Sequence, residues 1–283
     1  MRLNRRAFLL LSAQVAAIPL LTRCGGSDAG VDIQTATSTE TGSPSASPTE
    51  TATATPASTV REYYNSDLHQ LVSKKYSLAA DYVPPNLQAI PDNWLMGGQS
   101  GLLRADVIDA LEPMMSDAWA NDGVDLRIRS AYRSYEEQVR TFNYWVSLLG
   151  EEQAKRESAE AGHSEHQLGT TMDFADPYNG WELLESFEDS PSGIWLAEHA
   201  WEYGFALSYP KGMEDTTGYI YEPWHHRYIG LEAAAAWHES GLTLIEFLEE
   251  LNAKADADAR RRWNGGSTRS SPSWPVWWRA RSG

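Results

Sequence analysis

The sequence predicts an α+β domain, and three observations carry that expectation. Short apolar/polar alternations mark half-buried strands. Capped helical segments lie among them. The two kinds of element mix without the regular strand–helix–strand order of a parallel α/β fold. The chain is 283 residues long, with 42% hydrophobic and 22% charged residues, ordinary values for a globular protein. Mean hydropathy is −0.47, which excludes a multi-span membrane protein. A single cysteine, Cys24, excludes an internal disulfide framework and any cysteine-based zinc cluster.

The elements follow in chain order. Val124, Leu126 and Ile128 alternate with Asp125, Arg127 and Arg129, the period of a strand with one buried face. Ser134-Tyr135-Glu136-Glu137 reads as a capping box opening a helix that runs to about Leu149. Met172 and Phe174 alternate with Thr171, Asp173 and Ala175 as a second strand. A helix from about Ser192 to Tyr203 stops at Gly204, a residue suited to the left-handed position after a helix. Phe205, Leu207 and Tyr209 form a third strand before Pro210. Tyr219 to Tyr228 is extended and interrupted by Pro223, and Thr243 with Glu246 caps the last helix.

Around this body, 60–251, the ends differ in kind. Arg2, Arg5 and Arg6 precede an apolar run from Ala7 to Leu21, shorter than the about 20 residues a spanning helix needs. Residues 1–24 therefore read as an export signal, with a twin-arginine-like Arg5-Arg6-Ala7-Phe8-Leu9 and a lipobox-like end at Leu21-Thr22-Arg23-Cys24. Arg23 departs from the small residue usual before the lipidated Cys. Residues 25–59 are rich in Ser, Thr, Pro, Ala and Glu with almost no large apolar residue, expected as a disordered tether because they offer too little surface to bury. Residues 252–283 form a basic, Trp-rich tail, expected to be disordered. The expected location is the cell envelope, with the chain anchored through Cys24.

Net charge is −16. Residues 1–24 hold four Arg and no acid, and residues 252–283 hold seven Lys or Arg against two Asp, so the body is strongly acidic. Such a surface argues against nucleic acid as a partner, which needs a basic footprint. It remains compatible with a divalent cation.

The chemistry concentrates in two strings, Gly162-His163-Ser164-Glu165-His166-Gln167-Leu168-Gly169-Thr170-Thr171-Met172-Asp173 and Tyr221-Glu222-Pro223-Trp224-His225-His226-Arg227-Tyr228. They gather imidazoles and carboxylates at close spacing. Two His and one Asp complete a catalytic zinc site that keeps a fourth position open. His69, His163, His199 and His238 read as ordinary structural or surface histidines, and Ser134 as a cap.

Ser164-x-His166-x-x-Gly169-x-x-x-Asp173 followed by Glu222-x-x-His225 resembles the zinc D,D-carboxypeptidases of the VanY type. They are relatives of D,D-dipeptidases, phage peptidoglycan endopeptidases and the amino-terminal domain of Hedgehog proteins. Ser130-Ala131-Tyr132-Arg133-Ser134, Tyr203-Gly204-Phe205 and Tyr209-Pro210-Lys211-Gly212 fit the same branch. The resemblance implies one domain with a small central antiparallel sheet flanked by helices. It implies Zn²⁺ held by His166, Asp173 and His225, Glu222 as general base, Arg133 as oxyanion stabiliser, and Ser164 and Gln138 at the substrate. Thr171 stands where many relatives have Ala. The activity implied is removal of the terminal D-Ala from peptidoglycan stem peptides by a monomer. An endopeptidase, a D,D-dipeptidase or a non-catalytic wall-binding module are the alternatives. One conflict stands: strict alternation on a strand pairs Glu222 with Trp224 and His226 rather than with His225. Pro223 can reset that register, so His225 is the expected ligand and His226 the fallback.

Overall fold

The computed structural model describes residues 64–97 and 101–265, all within one compact unit. The expectations for the export signal, for Cys24, for the tether and for the tail beyond 265 lie outside the described residues. The α+β class holds. Four strands, β3 (Arg127–Ser130), β4 (Thr171–Ala175), β5 (Phe205–Leu207) and β6 (His225–Tyr228), form an antiparallel sheet in the order β3-β4-β6-β5. A separate hairpin-like pair joins β1 (Leu87–Ala89) to β2 (Leu102–Arg104). Among the described residues, no helix is long and apolar enough to cross a membrane.

The sheet owes its orientation to where its apolar side chains go. Ile128, Met172, Phe174 and Phe205 pack with Val107, Leu111, Met114, Met115 and Ala118 of α1 (Ala105–Asp122). Those helical positions recur at the spacing of one helix face. The sequence analysis assigns no element to this stretch, and Pro113 sits in the middle of the helix, where it removes a backbone hydrogen bond. Burial of five side chains outweighs the lost backbone hydrogen bond.

The opposite face of the sheet carries polar groups, and it is covered too. All five residues of β4 are buried, where the alternation predicts burial of one face alone. The difference is tertiary: Thr171 and Asp173 project into the site rather than into water. Local signals fare better at α2 (Tyr135–Leu149), which starts behind Ser134 with both arms of the capping box in place. A short α3 (Glu151–Glu157) follows. The helix expected up to Tyr203 divides into α4 (Pro191–His199) and a tighter 3₁₀ turn, Ala200–Tyr203. Gly204 then takes φ +92°, and a Cβ there would stand 2.7 Å from the Tyr228 ring. A second glycine is fixed by contact alone: a Cβ on Gly193 would lie 1.9 Å from the Phe187 carbonyl oxygen.

After the single turn α5 (Glu214–Thr217), the chain passes through β6 to α6 (Leu231–Ser240) and α7 (Leu244–Gly265). These two helices close a second cluster of Ala206, Ile229, Ala233, Ala234, Leu244, Phe247, Leu248 and Leu251. The last helix begins at the expected cap, since Thr243 Oγ1 accepts from the Glu246 N–H and Glu246 Oε2 from the Thr243 N–H. It does not stop near Leu251. It continues to Gly265, which corrects the expectation of disorder from residue 252. The alternating alanines of Ala253–Ala259 have high helix propensity. Lys254 with Glu250 and Arg261 with Asp258 add ion pairs on neighbouring turns.

Candidate active site

Asp173 and His225 are directly opposed residues of the antiparallel pair β4–β6, so their side chains leave the sheet side by side. His166 arrives from the 3₁₀ turn Glu165–Leu168, which precedes β4 and ends at Gly169 in the left-handed conformation. The result is one buried cluster in which one ligand atom from each of His166, Asp173 and His225 lies within 4.8 Å of the others. His166 Nε2 stands 3.3 Å from Asp173 Oδ2, and His225 Nδ1 stands 3.1 Å from Asp173 Oδ1.

Hydrogen bonds on the outer side of each ring settle which nitrogen faces inward. His166 Nδ1 donates to the Ala131 carbonyl at 2.7 Å, which leaves Nε2 as the inward lone pair. His225 Nε2 donates to Glu165 Oε2 at 3.1 Å, which leaves Nδ1. Two imidazole lone pairs and one carboxylate thus converge, the donor set of a hydrolytic zinc site.

The local charge favours a cation. Burial alone would lower the His225 pKa, but its bonds to Asp173 and Glu165, with the Glu222 charge, raise it to about 10. Burial would likewise raise the Asp173 pKa, and the two histidines hold it well below the usual carboxylate range. His166 is pushed down by burial against the pull of Asp173. A divalent ion would compete with the proton for the same lone pairs.

Glu222 stands at the rim, with Oε2 3.6 Å from His225 Nδ1 and the side chain 13% exposed. The register conflict resolves at Pro223. The His225 N–H bonds the Glu222 carbonyl at 3.0 Å, so a turn separates the two and β6 begins only at His225. His226 points to the other face, edge-on to Phe174 at 5.8 Å, and burial lowers its pKa to about 4. The fallback is a core residue.

Arg133 lies just before α2. Its Nη1 donates to Gln138 Oε1 at 2.8 Å and its Nη2 to Ser130 Oγ at 3.0 Å. Ser130 pairs with Asp173 beside a register shift in β3, a place where sheets commonly re-aim side chains. Burial lowers the Arg133 pKa, against the nearby charges of Asp173 and Glu222. Gln138 is the one fully buried residue of α2, and its amide also donates to Ala159 O and Ser158 Oγ. It therefore holds Arg133 in place. Ser164 is buried at the start of the turn that bears His166 and makes no cap bond to it.

Two contributors escape the sequence reading. Glu165 sits inside the first motif, and Arg227 lies two residues beyond His225. Arg227 Nη1 donates to Glu165 Oε1 at 2.8 Å. Although burial alone would raise the Glu165 pKa, this guanidinium and His225 hold it at about 2. The available signal was the period of two on β6, which puts His225 and Arg227 on one side.

Known proteins resemble this chain in sequence and in fold. The sequence profile of the VanY family, described as D-alanyl-D-alanine carboxypeptidase, matches residues 100–231. A D-alanyl-D-alanine carboxypeptidase of Enterococcus faecium is 30% identical over 199 residues, covering 68% of this chain and 61% of that protein. The solved structure of the LdcB LD-carboxypeptidase is similar at a TM-score of 0.59 and 42% identity, over 63% of this chain and 84% of LdcB. A VanY D,D-pentapeptidase from a VanB-type resistance cassette, solved as a glutamate-to-alanine mutant with Zn(II), is similar at a TM-score of 0.53 and 27% identity. That match covers 64% of this chain and 99% of the pentapeptidase. With residues 100–231 matched to the family's profile and LdcB 42% identical over 84% of its chain, this chain belongs to the VanY family of zinc D-alanyl-D-alanine carboxypeptidases.

Proposed function

We propose that this enzyme hydrolyses the terminal D-alanine from peptidoglycan stem peptides. The observation that carries the reading is the convergence of His166, Asp173 and His225 with Glu222 at 3.6 Å from the last of them. His166 Nε2, Asp173 and His225 Nδ1 would hold the zinc. When bound there, zinc supplies a Lewis acid that polarises the scissile carbonyl and acidifies water. Glu222 accepts the proton of the attacking water as the C–O bond forms and returns it to the leaving amine as the C–N bond then breaks. Arg133, fixed by Gln138 and Ser130, faces the negative charge that grows on the carbonyl oxygen. Ser164 lines the substrate. All these groups come from one chain, so a monomer suffices.

One observation favours a second reading. Identity to the LD-carboxypeptidase, 42%, exceeds that to the D,D-pentapeptidase, 27%. An L,D activity cuts where an L residue precedes the terminal D-alanine. Mass analysis after incubation with a stem pentapeptide ending in D-Ala-D-Ala and with the tetrapeptide separates them. Release of one D-Ala from the pentapeptide supports the D,D reading, and trimming of the tetrapeptide alone supports the other. Release of the dipeptide or a cut inside the stem would make the enzyme a dipeptidase or endopeptidase. No cleavage with zinc present would leave a wall-binding module.

The place of action follows from the same reading. Export by the twin-arginine-like signal and lipidation of Cys24 would hold the domain at the cell envelope, where its polymer lies. Cys24→Ser should then free the protein from membranes, and unchanged retention would point to an uncleaved anchor.

A further inference from the structure

We propose that Glu165 is a positioning residue for the metal centre, itself held by Arg227, and that this pair ties the centre to the amino-terminal segment. The inference rests on the reading of His166, Asp173 and His225 as zinc ligands. Glu165 is 5% exposed, and both of its oxygens are committed. Oε2 accepts from His225 Nε2 at 3.1 Å and Oε1 from Arg227 Nη1 at 2.8 Å. Arg227 is fully buried, and its Nη2 donates to Leu68 O at 2.9 Å and Gln70 O at 2.7 Å. Between those two carbonyls, His69 Nε2 bonds Ile229 O at 2.8 Å. Segment 68–70 is thus stitched to β6 and its immediate continuation.

The line Gln70–Arg227–Glu165–His225 does two things for the ligand. It keeps the proton on Nε2, so Nδ1 offers its lone pair inward, and it stops the ring from turning about its own bond. Outer partners of this kind raise ligand basicity and fix orientation. Fold stability alone is a weak account of the pair. Replacement of a buried ion pair by apolar side chains of similar volume is commonly neutral or stabilising. Arg227 Nε is moreover left without a hydrogen-bond partner.

The test uses the purified zinc enzyme. Zinc affinity is measured by competition with a chromophoric chelator, and ligand geometry by the absorption spectrum of the cobalt(II)-substituted protein. Glu165→Ala should bind zinc about 10–100-fold more weakly, as outer-partner removal typically does, with an altered cobalt spectrum. Glu165→Gln keeps an acceptor of the same size and should recover part of that loss. Zinc affinity within about threefold of wild type in Glu165→Ala, well short of the typical loss, with an unchanged cobalt spectrum, would overturn the proposal. Should Glu165→Ala fail to fold, Glu165→Gln decides: weaker zinc binding supports the positioning role and unchanged binding overturns it. A wild-type protein that binds no zinc would overturn the metal assignment itself, a result distinct from the variants matching wild type.

Discussion

Glu222→Gln separates metal binding from proton transfer. The substitution keeps the length of the side chain and removes its charge. Asp173 Oδ1 and Glu165 Oε2 still face His225 at 3.1 Å each, and Glu222 lies outside the set of three mutually close ligand atoms. One zinc per chain should therefore survive dialysis. Loss of a general base typically costs 10²–10⁴-fold in rate, which is about 2.7–5.5 kcal/mol of barrier at ~1.36 kcal/mol per decade. Metal analysis alongside single-turnover cleavage of a defined stem peptide reads both quantities on one sample. His166→Ala supplies the contrast, because it removes an inward lone pair and should lose the zinc. Turnover by Glu222→Gln within about tenfold of wild type, below the usual range for a lost base, would refute the assignment. Zinc loss equal to that of His166→Ala would make Glu222 a ligand.

Arg133→Ala should keep zinc and lose about 2–4 kcal/mol of transition-state stabilisation, read from kcat/KM; an unchanged kcat/KM would remove it from the chemistry. Gly193→Ala should destabilise the fold by about 1–3 kcal/mol or more through overpacking, since its Cβ would meet the Phe187 carbonyl at 1.9 Å; urea unfolding that matches wild type would contradict the packing. His69 gives a pH dependence. Burial lowers its pKa from 6.5 to about 4, so the neutral ring is favoured in the folded state. Its contribution is complete above pH 6.5 and is lost as pH falls through 4. Stability should drop by about 2 kcal/mol between pH 7 and pH 5 on this account, at ~1.36 kcal/mol per pKa unit. His69→Gln should show a shallower decline in urea unfolding, and an equal decline would assign the effect elsewhere.

Short-range signals survived the passage from sequence to structure best. Ser134 and Glu137 fix the start of α2 because cap and helix lie within four residues. The strand of Met172 and Phe174 was legible from its period, but its burial on both sides was not, because residues distant in the chain cover the second face. α1 went unseen, a helix with Pro113 inside it whose justification is its packing on Ile128, Phe174 and Phe205. The last helix outran its expected end because alanine propensity, rather than core periodicity, extends it.

At the site, the sequence supplied two strings of imidazoles and carboxylates, and the resemblance picked out His166, Asp173 and His225 as candidate ligands and Glu222 as candidate base, which the structure brings together. Two motifs about fifty residues apart carry that resemblance, and their donor types suit a zinc site. Which histidine of the adjacent pair turns inward was decided by the tertiary structure, through the turn at Pro223 and the pairing of His225 with Asp173. The same holds for which nitrogen of each ring is presented. Ala131 fixes His166 across 35 residues, Glu165 fixes His225 across 60, and Arg227 reaches Leu68 across 159. Hydrogen bonds over such separations follow no period in the chain. They exist only once the sheet, the 3₁₀ turn and the amino-terminal segment have packed together.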